Sequence, residues 1–279
     1  MPEAPASSDV PRPFYSDPWR STTRPAAEAL WRWHLAWKQA AEQAAKGAAD
    51  VQAPFRHARD YVANGEAVEV VPADVQEAAY AACRAHRIPL DVLADQAAAA
   101  AHFTGPIRFA DRETFQTFIE QWAMPLGEAL VRLAGSRGSW QIGQAREAAR
   151  GFFLTGRLAE LPRDLEKDRL FIPQSDLDLA GVSVDQLRAG EVDGAMQKLL
   201  WKQVVRARDA FAQGQPLVHE LPRRYAHALK RWLLGGLEWL SEIERRGYDV
   251  WASPISLSPF RKAQVRFQAQ FGRATFRKR

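Results

Sequence analysis

The sequence predicts an all-α protein, folded as a single domain of many packed helices. Apolar residues recur at helical spacing along most of the chain, as Leu30, Trp33, Trp37 and Ala41 do near its start. Strand signals are almost absent, because the Val-Glu-Val-Val run at residues 68–71 is too short to seed a sheet. No segment repeats at a fixed period. We therefore expect one helical bundle.

The elements follow from local signals. Residues 1–25 are rich in Pro, Ser and Thr and are expected to lack regular structure. Asp74 and Asp91 stand where helix N-caps belong, and Pro125 predicts a kink near Trp122. The periodic pattern predicts helices over residues 24–46, 55–62, 74–86, 91–101, 111–133, 139–168, 183–189, 194–214 and 222–247, with a last segment from residue 258.

Composition places the protein among ordinary globular proteins. The 279 residues are 47% hydrophobic and 25% charged, enough to bury a sizeable core. The single cysteine, Cys83, excludes an intramolecular disulfide, suits a reducing compartment and is interpreted as a core residue. The chain shows neither a signal-peptide pattern nor an apolar stretch of about 18 residues. We expect a cytoplasmic protein, with peripheral attachment to a membrane as an open alternative.

The C-terminal end is strongly basic. From Arg261 to Arg279 the chain has seven Lys or Arg and no acid, interleaved with Phe267, Phe271 and Phe276. Such a tail suits an anionic membrane surface, and the alternative is a basic end that mainly aids solubility. No reading motif accompanies the charge, so nucleic acid is not expected as a partner.

The stretch from residue 160 to 173 carries the chemistry. Glu160, Asp164 and Asp168 are four residues apart and share one face if the segment is helical. Like charges in a column repel, so such a column lies where water screens it or where a cation neutralises it. Two interpretations are open: a Mg²⁺ and diphosphate site, or a solvated helix face. Pro162 favours a new helix start, which would leave Glu160 outside the column.

The same stretch resembles a known motif. Residues 163–168 read Arg-Asp-Leu-Glu-Lys-Asp and are followed by Phe171, Pro173 and the Gly-Val pair at 181–182. This pattern resembles the second aspartate-rich motif of the squalene/phytoene synthase family. The family usually has Gln and Asn where this chain has Arg157 and Glu160.

Other segments resemble the same family in the right order. Residues 118–127 resemble the segment that holds a family tyrosine, and their Pro-Leu-Gly ending is similar to the hopanoid-associated squalene synthase subgroup. The Tyr-Asp-Val sequence at 248–250 resembles that subgroup's closing turn. The resemblance covers residues 24–265 and implies an isoprenoid-synthase-type helical bundle around a central cavity. Composition adds a disordered N-terminus (1–23) and a basic tail (266–279).

The resemblance also implies a site. Family members join two prenyl diphosphates, such as farnesyl diphosphate, head to head, and two facing aspartate-rich motifs hold Mg²⁺ against the diphosphates. On this basis Asp164 and Asp168 are the candidate metal ligands. Lys38, Arg163 and Arg169 are the candidate substrate-binding residues.

The chain departs from the family pattern at several positions. The first aspartate-rich motif falls on Lys38, Gln39 and Glu42, which leaves one carboxylate, and the family tyrosine falls on Phe118. Lys38 either offers a cation to a diphosphate or pairs with Glu42. Trp37 stands where the family tends to have a small residue.

Three hypotheses follow from these departures. The first is a family member that has lost most or all of its condensation activity and binds an isoprenoid diphosphate, a membrane surface or a partner. The second is an active Mg²⁺-dependent condensing enzyme, which an acidic cluster facing Asp164 would favour. The third is a non-catalytic partner of a catalytic paralogue, or an assembly factor. Filling of the cavity by Trp37 and Phe103 would oppose ligand binding there.

Overall fold

The fold is all-α, as predicted. The computed structural model describes residues 18–45, 55 and 57–271, and within these ranges no strand occurs, only one isolated parallel bridge between Ile107 and Arg169. The helices, numbered in chain order, are α1 Arg24–Ala44, α2 Ala58–Ala63, α3 Ala73–His86, α4 Asp91–Ala100, α5 Arg112–Trp122, α6 Met124–Leu133, α7 Ser139–Ala159, α8 Leu161–Glu166, α9 Gln174–Ala180, α10 Val184–Ala189, α11 Gly194–Gly214, α12 Leu217–Glu220, α13 Arg223–Arg245 and α14 Pro259–Phe271.

Two long predicted helices are each split at a proline. The predicted kink near Trp122 is a full break between α5 and α6, with Pro125 in the first turn of α6. Likewise Glu160 separates α7 from α8, and Pro162 lies in the first turn of α8. Proline has no N–H to donate and fits best at a helix start, so both breaks have the same physical origin.

Two predicted caps are displaced. The N-cap positions of α3 and α4 are held by Pro72 and Leu90, while Asp74 and Asp91 lie in the first turns of these helices. Both acids still stand at the positive end of a helix dipole, where a negative charge is favourable. Neither helix has a side-chain N-cap hydrogen bond, so the prediction of Asp74 and Asp91 as N-caps is wrong.

The run of valines before α3 forms a turn because a buried side chain binds its backbone. Gln76 donates to the carbonyl oxygens of Val68 and Val71, both at 2.6 Å, and accepts from the Val68 N–H at 2.9 Å. Buried backbone groups need partners, and here a single amide supplies three of them. A neighbouring strand is therefore unnecessary.

Helix α7 lies between α6 and α11 and forms the centre of the bundle. Glycines permit close approach on both sides. A Cβ at Gly127 of α6 would lie 2.3 Å from the carbonyl oxygen of Ala145, and one at Gly214 of α11 would lie 2.7 Å from the nitrogen of Ala148. Backbone cannot move aside as a flexible side chain can, so both positions require glycine.

The structure describes only parts of the N-terminal and C-terminal segments that were predicted to lie outside the helical domain. Trp19 lies in the segment expected to be irregular, yet it is buried against Tyr225, with ring centroids 5.1 Å apart. The expectations for residues 1–17, for 46–54 and for the tail beyond residue 271 fall outside the described residues. In the part that is described, none of the helices is long and apolar enough to cross a bilayer.

Candidate functional site

Four parts of the chain meet at one end of the bundle: α1, the segment from 101 to 110, the end of α7, and the segment from 164 to 175. Two loops are held side by side by backbone hydrogen bonds. The Ile107 N–H donates to the Asp168 carbonyl at 3.1 Å, and the Leu170 N–H donates to the Ile107 carbonyl at 2.9 Å. A further bond joins the Gln174 N–H to the Phe109 carbonyl at 2.8 Å. The position of Asp168 is therefore set by residues distant in sequence.

The acidic residues do not form a column. Glu160 lies between α7 and α8, Asp164 lies in α8, and Asp168 follows the end of α8 with a left-handed φ of 55°. The helix that would have stacked them has only the six residues Leu161–Glu166. An interpretation based on a continuous acidic helix face is thus wrong for this segment.

Asp164 forms a buried ion pair with Arg157. Both carboxylate oxygens lie 2.9 Å from Nη1 of Arg157, and the two side chains are 7% and 5% exposed. The guanidinium also lies over the rings of Phe153 and Phe171, at 5.8 and 5.2 Å from their centroids. The adjoining cavity, lined in part by Gln203, has a volume of about 10 Å³, which is room for about one water molecule.

Asp168 faces a different environment and meets two arginines. Its Oδ1 accepts from Nη2 of Arg108 and, at 2.7 Å, from Nη2 of Arg188 in α10. Arg108 also donates to the Asp168 carbonyl oxygen at 2.7 Å. The carboxylate is about half exposed. The two aspartates therefore serve separate arginines and do not converge on one point.

Two of the three predicted substrate-binding residues come together over one aromatic ring. The Nζ of Lys38 lies 5.5 Å from the centroid of Phe103, and the guanidinium of Arg169 lies 5.2 Å from it. Arg169 is buried and donates to Glu42 Oε1 at 2.6 Å, so the one carboxylate at the first-motif positions is engaged. Arg163 is instead 62% exposed and pairs with Glu160 at 3.7 Å.

Aromatic side chains pack tightly beside these cations. The ring of Phe118 lies 6.0 Å from each of Phe103, Phe153 and Phe171, and Phe103 lies 4.8 Å from Trp122. All five rings are almost completely buried. Such separations are those of aromatic pairs in contact.

Trp37 fills the neighbouring space. It is fully buried, 5.5 Å from the ring of Trp33 and 5.9 Å from that of Phe55. Both Trp37 and Phe103 are therefore core residues of this bundle, in the region where the resemblance led us to expect a cavity.

A family model described as squalene/phytoene synthase matches residues 20–267. The chain belongs to the squalene/phytoene synthase family. The match covers nearly all the described residues and confirms the resemblance found in the sequence.

Individual relatives are distant. The chain is 30% identical to the phytoene synthase of Thermus thermophilus over 146 residues, which cover 52% of this chain and 50% of that protein. It is 28% identical to the presqualene diphosphate synthase of Sinorhizobium fredii over 162 residues, 58% of each chain. The alignments thus span about half the length of these curated relatives.

Solved structures agree on the fold. The squalene synthase HpnC from Alicyclobacillus acidocaldarius superposes with a TM-score of 0.72 at 20% identity, covering 85% of this chain and 89% of that one. A dehydrosqualene synthase in complex with a ligand gives a TM-score of 0.72 at 16% identity, covering 88% and 87%. At these identities the likeness shows the isoprenoid-synthase-type fold alone.

The donor set does not fit the Mg²⁺ that the family's aspartate-rich motifs imply. Magnesium requires carboxylate oxygens open to the ion, yet those of Asp164 face Arg157, and Asp168 accepts from two arginines. Over residues 18–45, 55 and 57–271, no group of three or more His, Cys, Asp or Glu side chains could hold a metal ion. Arginine guanidinium groups supply the positive charge at both aspartates.

The arginines that pair with the aspartates were not predicted as site residues. Arg157 carried a signal, since it replaces a family Gln seven residues before Asp164. Arg108 and Arg188 carried none, because their approach to Asp168 depends on the pairing of two loops.

A second buried cluster anchors the same region. Asp176 in α9 is completely buried and accepts from Arg112 at 2.8 Å, from Gln203 at 3.3 Å and from both terminal nitrogens of Arg206. Burial acts to raise the pKa of this carboxyl, but the hydrogen bonds from Arg206 and Arg112 outweigh it and lower the pKa to about 2. This cluster fixes α9 against α11. Because the loop that contains Asp168 leads into α9, the cluster also anchors the C-terminal end of that loop.

Proposed function

We propose that this chain is a squalene/phytoene synthase family member that has lost head-to-head condensation of prenyl diphosphates and acts by binding rather than by catalysis. The Arg157–Asp164 ion pair is the observation that carries this proposal. A buried carboxylate whose two oxygens both accept from a guanidinium nitrogen at 2.9 Å is neutralised within the chain. The Asp164 carboxylate would have to break its ion pair with Arg157 before it could coordinate a metal ion.

The aromatic packing supports the same proposal. Condensation requires an apolar space that admits two prenyl chains and excludes water. Here Phe103, Phe118 and Trp122 are in contact with one another and almost wholly buried. A ligand in this region would have to displace several rings, each of which contributes to the stability of the core.

The competing hypothesis of an active enzyme predicts an acidic cluster facing Asp164. Asp164 instead pairs with Arg157, and Glu42 on α1 pairs with Arg169. Loss of one electrostatic group typically lowers an enzymatic rate by about a hundred- to a thousandfold. The departures at Lys38, Gln39 and Phe118 together would leave little of the rate acceleration.

The decisive assay is release of diphosphate from farnesyl diphosphate by the purified protein with Mg²⁺, with the organic phase examined for a coupled product. We expect no release above a no-protein blank, while a catalytic family member assayed in parallel consumes the substrate. Mg²⁺-dependent release that is abolished in Asp168→Asn would overturn the proposal. Asp168 is the suitable variant because its half-exposed carboxylate can be removed without leaving a buried charge unpaired.

Ligand binding is tested separately from turnover. Isothermal titration with farnesyl diphosphate in the presence of EDTA measures metal-independent binding by Lys38 and Arg169. We expect no saturable heat, because Arg169 is buried and engaged by Glu42 and both cations lie against the Phe103 ring. Tight binding that Lys38→Gln weakens would contradict this expectation and identify an isoprenoid diphosphate as the ligand, bound by cations without a metal.

A further inference from the structure

Helix α14 presents an unusual outer face. Of the six large hydrophobic side chains that are well exposed among the described residues, Phe260 and Phe267 both belong to this one helix, at 76% and 65% exposure. Seven residues apart, they lie on the same side of the helix, about two turns from each other. Single exposed apolar side chains are common on protein surfaces, whereas two in register form a stripe.

The stripe points away from the protein. Val265 and Ala269 are the buried residues of α14, each 6% exposed, and the helix packs against α13. At about 100° per residue, these two positions lie on the side of the helix opposite Phe260 and Phe267. The short exposed face is therefore separated from the core by the whole thickness of the helix.

Positive charge flanks the stripe on both sides. By the same helical geometry Arg261 lies on one flank and Arg266 on the other, each about 110° from the centre of the stripe. Helix α14 contains no Asp or Glu, and the sequence beyond it adds four further Lys or Arg and no acid. A helix with aromatic residues on one face and basic residues beside them has the distribution that favours the boundary between lipid headgroups and acyl chains.

We propose that the outer face of α14 binds the surface of an anionic lipid bilayer, with Phe260 and Phe267 inserted between headgroups and the flanking cations paired with lipid phosphates. The charge around the stripe favours a lipid surface over a protein partner. An apolar protein surface would not require that the residues around the two phenylalanines be basic and free of acids. The proposal concerns the outer surface of the molecule and stands whether or not condensation is lost.

The test is co-sedimentation of the full-length protein with vesicles. We expect binding to vesicles of mixed phosphatidylglycerol and phosphatidylcholine and little binding to phosphatidylcholine alone. Raising the salt from about 0.1 M to about 0.5 M should weaken binding, because it shortens the range of the charge attraction. The double variant Phe260→Ser/Phe267→Ser should lower the partition coefficient at least about tenfold, and Arg261→Gln/Arg266→Gln should lower it by about tenfold at low salt.

The matched control is Leu179→Ser in α9. Leu179 is 68% exposed, as prominent as the α14 phenylalanines, but it stands between Asp178 and Ala180. We expect this variant to bind vesicles as the parent does. Equal binding to neutral vesicles, equal loss in Leu179→Ser, or full binding by the double phenylalanine variant would each overturn the proposal. Circular dichroism of each variant excludes unfolding as a cause of any loss.

Discussion

Replacing Arg157 with Gln tests whether the buried ion pair substitutes for a metal. Gln is the residue the family usually has at this position, and it removes the charge while it keeps a polar side chain. Asp164 would then be a carboxylate that is 7% exposed and has lost the guanidinium nitrogen from which both its oxygens accept. Removing one member of a buried pair typically costs about 3 to 5 kcal/mol of unfolding free energy.

Protonation sets a limit on that cost. Asp164 can avoid a buried charge by taking up a proton, and an ordinary aspartate has a pKa of about 3.9. Holding a proton at pH 7 therefore costs about 4 kcal/mol, since each of about three pH units contributes about 1.4 kcal/mol. In the folded variant, loss of the arginine raises the pKa of Asp164 above its value in the unfolded chain. The loss of unfolding free energy is therefore largest at neutral pH and disappears as the pH falls toward 4. At pH 5 the expected penalty is only about 1.5 kcal/mol.

Urea unfolding followed by circular dichroism at pH 7 and pH 5 provides the measurement. A loss of about 4 kcal/mol at pH 7 corresponds to a fall of roughly 10 °C in Tm. The control is Arg163→Gln, which removes an exposed arginine from the same stretch and should change stability by less than about 0.5 kcal/mol.

Two results would refute this reasoning about Arg157. One is an Arg157→Gln protein within about 1 kcal/mol of the parent at pH 7, because the pair would then be screened by water. The other is a loss of the same size at both pH values, because the penalty would then not arise from the Asp164 charge. Millimolar Mg²⁺ that restores stability to the variant alone would show that the guanidinium occupies a position a metal can take.

Three further predictions follow from other buried groups. Phe118→Tyr should lower the unfolding free energy by about 1 to 3 kcal/mol, because its hydroxyl would enter an aromatic cluster; an unchanged thermal melt would mean that water reaches this ring. The parent should lose about 2 kcal/mol of stability between pH 4 and pH 2, because Asp176 has a pKa near 2 when folded and 3.8 otherwise, and an Asp176→Asn protein should lack this step in acid titrations. Burial raises the pKa of the Cys83 thiol to about 12, so Ellman's reagent at pH 8 should label it only in denaturant, and rapid labelling of the native protein would contradict its burial.

Local signals were enough to predict most helices. The helix predicted over residues 194–214 is α11, Gly194–Gly214, because an N-capping Asp193 and a regular apolar face act within a few residues of each other. The prolines predicted where the helices are interrupted, but not how completely. Pro125 and Pro162 each lie in the first turn of a new helix, where we expected a kink at the first and left a new helix start at the second as an alternative.

The site was harder to predict because its contacts cross the chain. Arg108 and Asp168 are 60 residues apart in sequence and meet only because Ile107 pairs with the loop after α8. Arg157 was visible as a departure from the family, yet its approach to Asp164 depends on the turn at Glu160. Periodicity reports which face a residue occupies, not which distant side chain will face it.

The pairing of each aspartate with an arginine of the same chain has a thermodynamic consequence. A dissociable ion contributes stability that varies with its concentration, whereas a tethered guanidinium is present in every folded molecule at a fixed effective concentration. The fold at this end of the bundle should therefore respond neither to chelators nor to the cellular level of divalent cations. Arg157, Arg108 and Arg188 make the order of this region a constant property of the polypeptide.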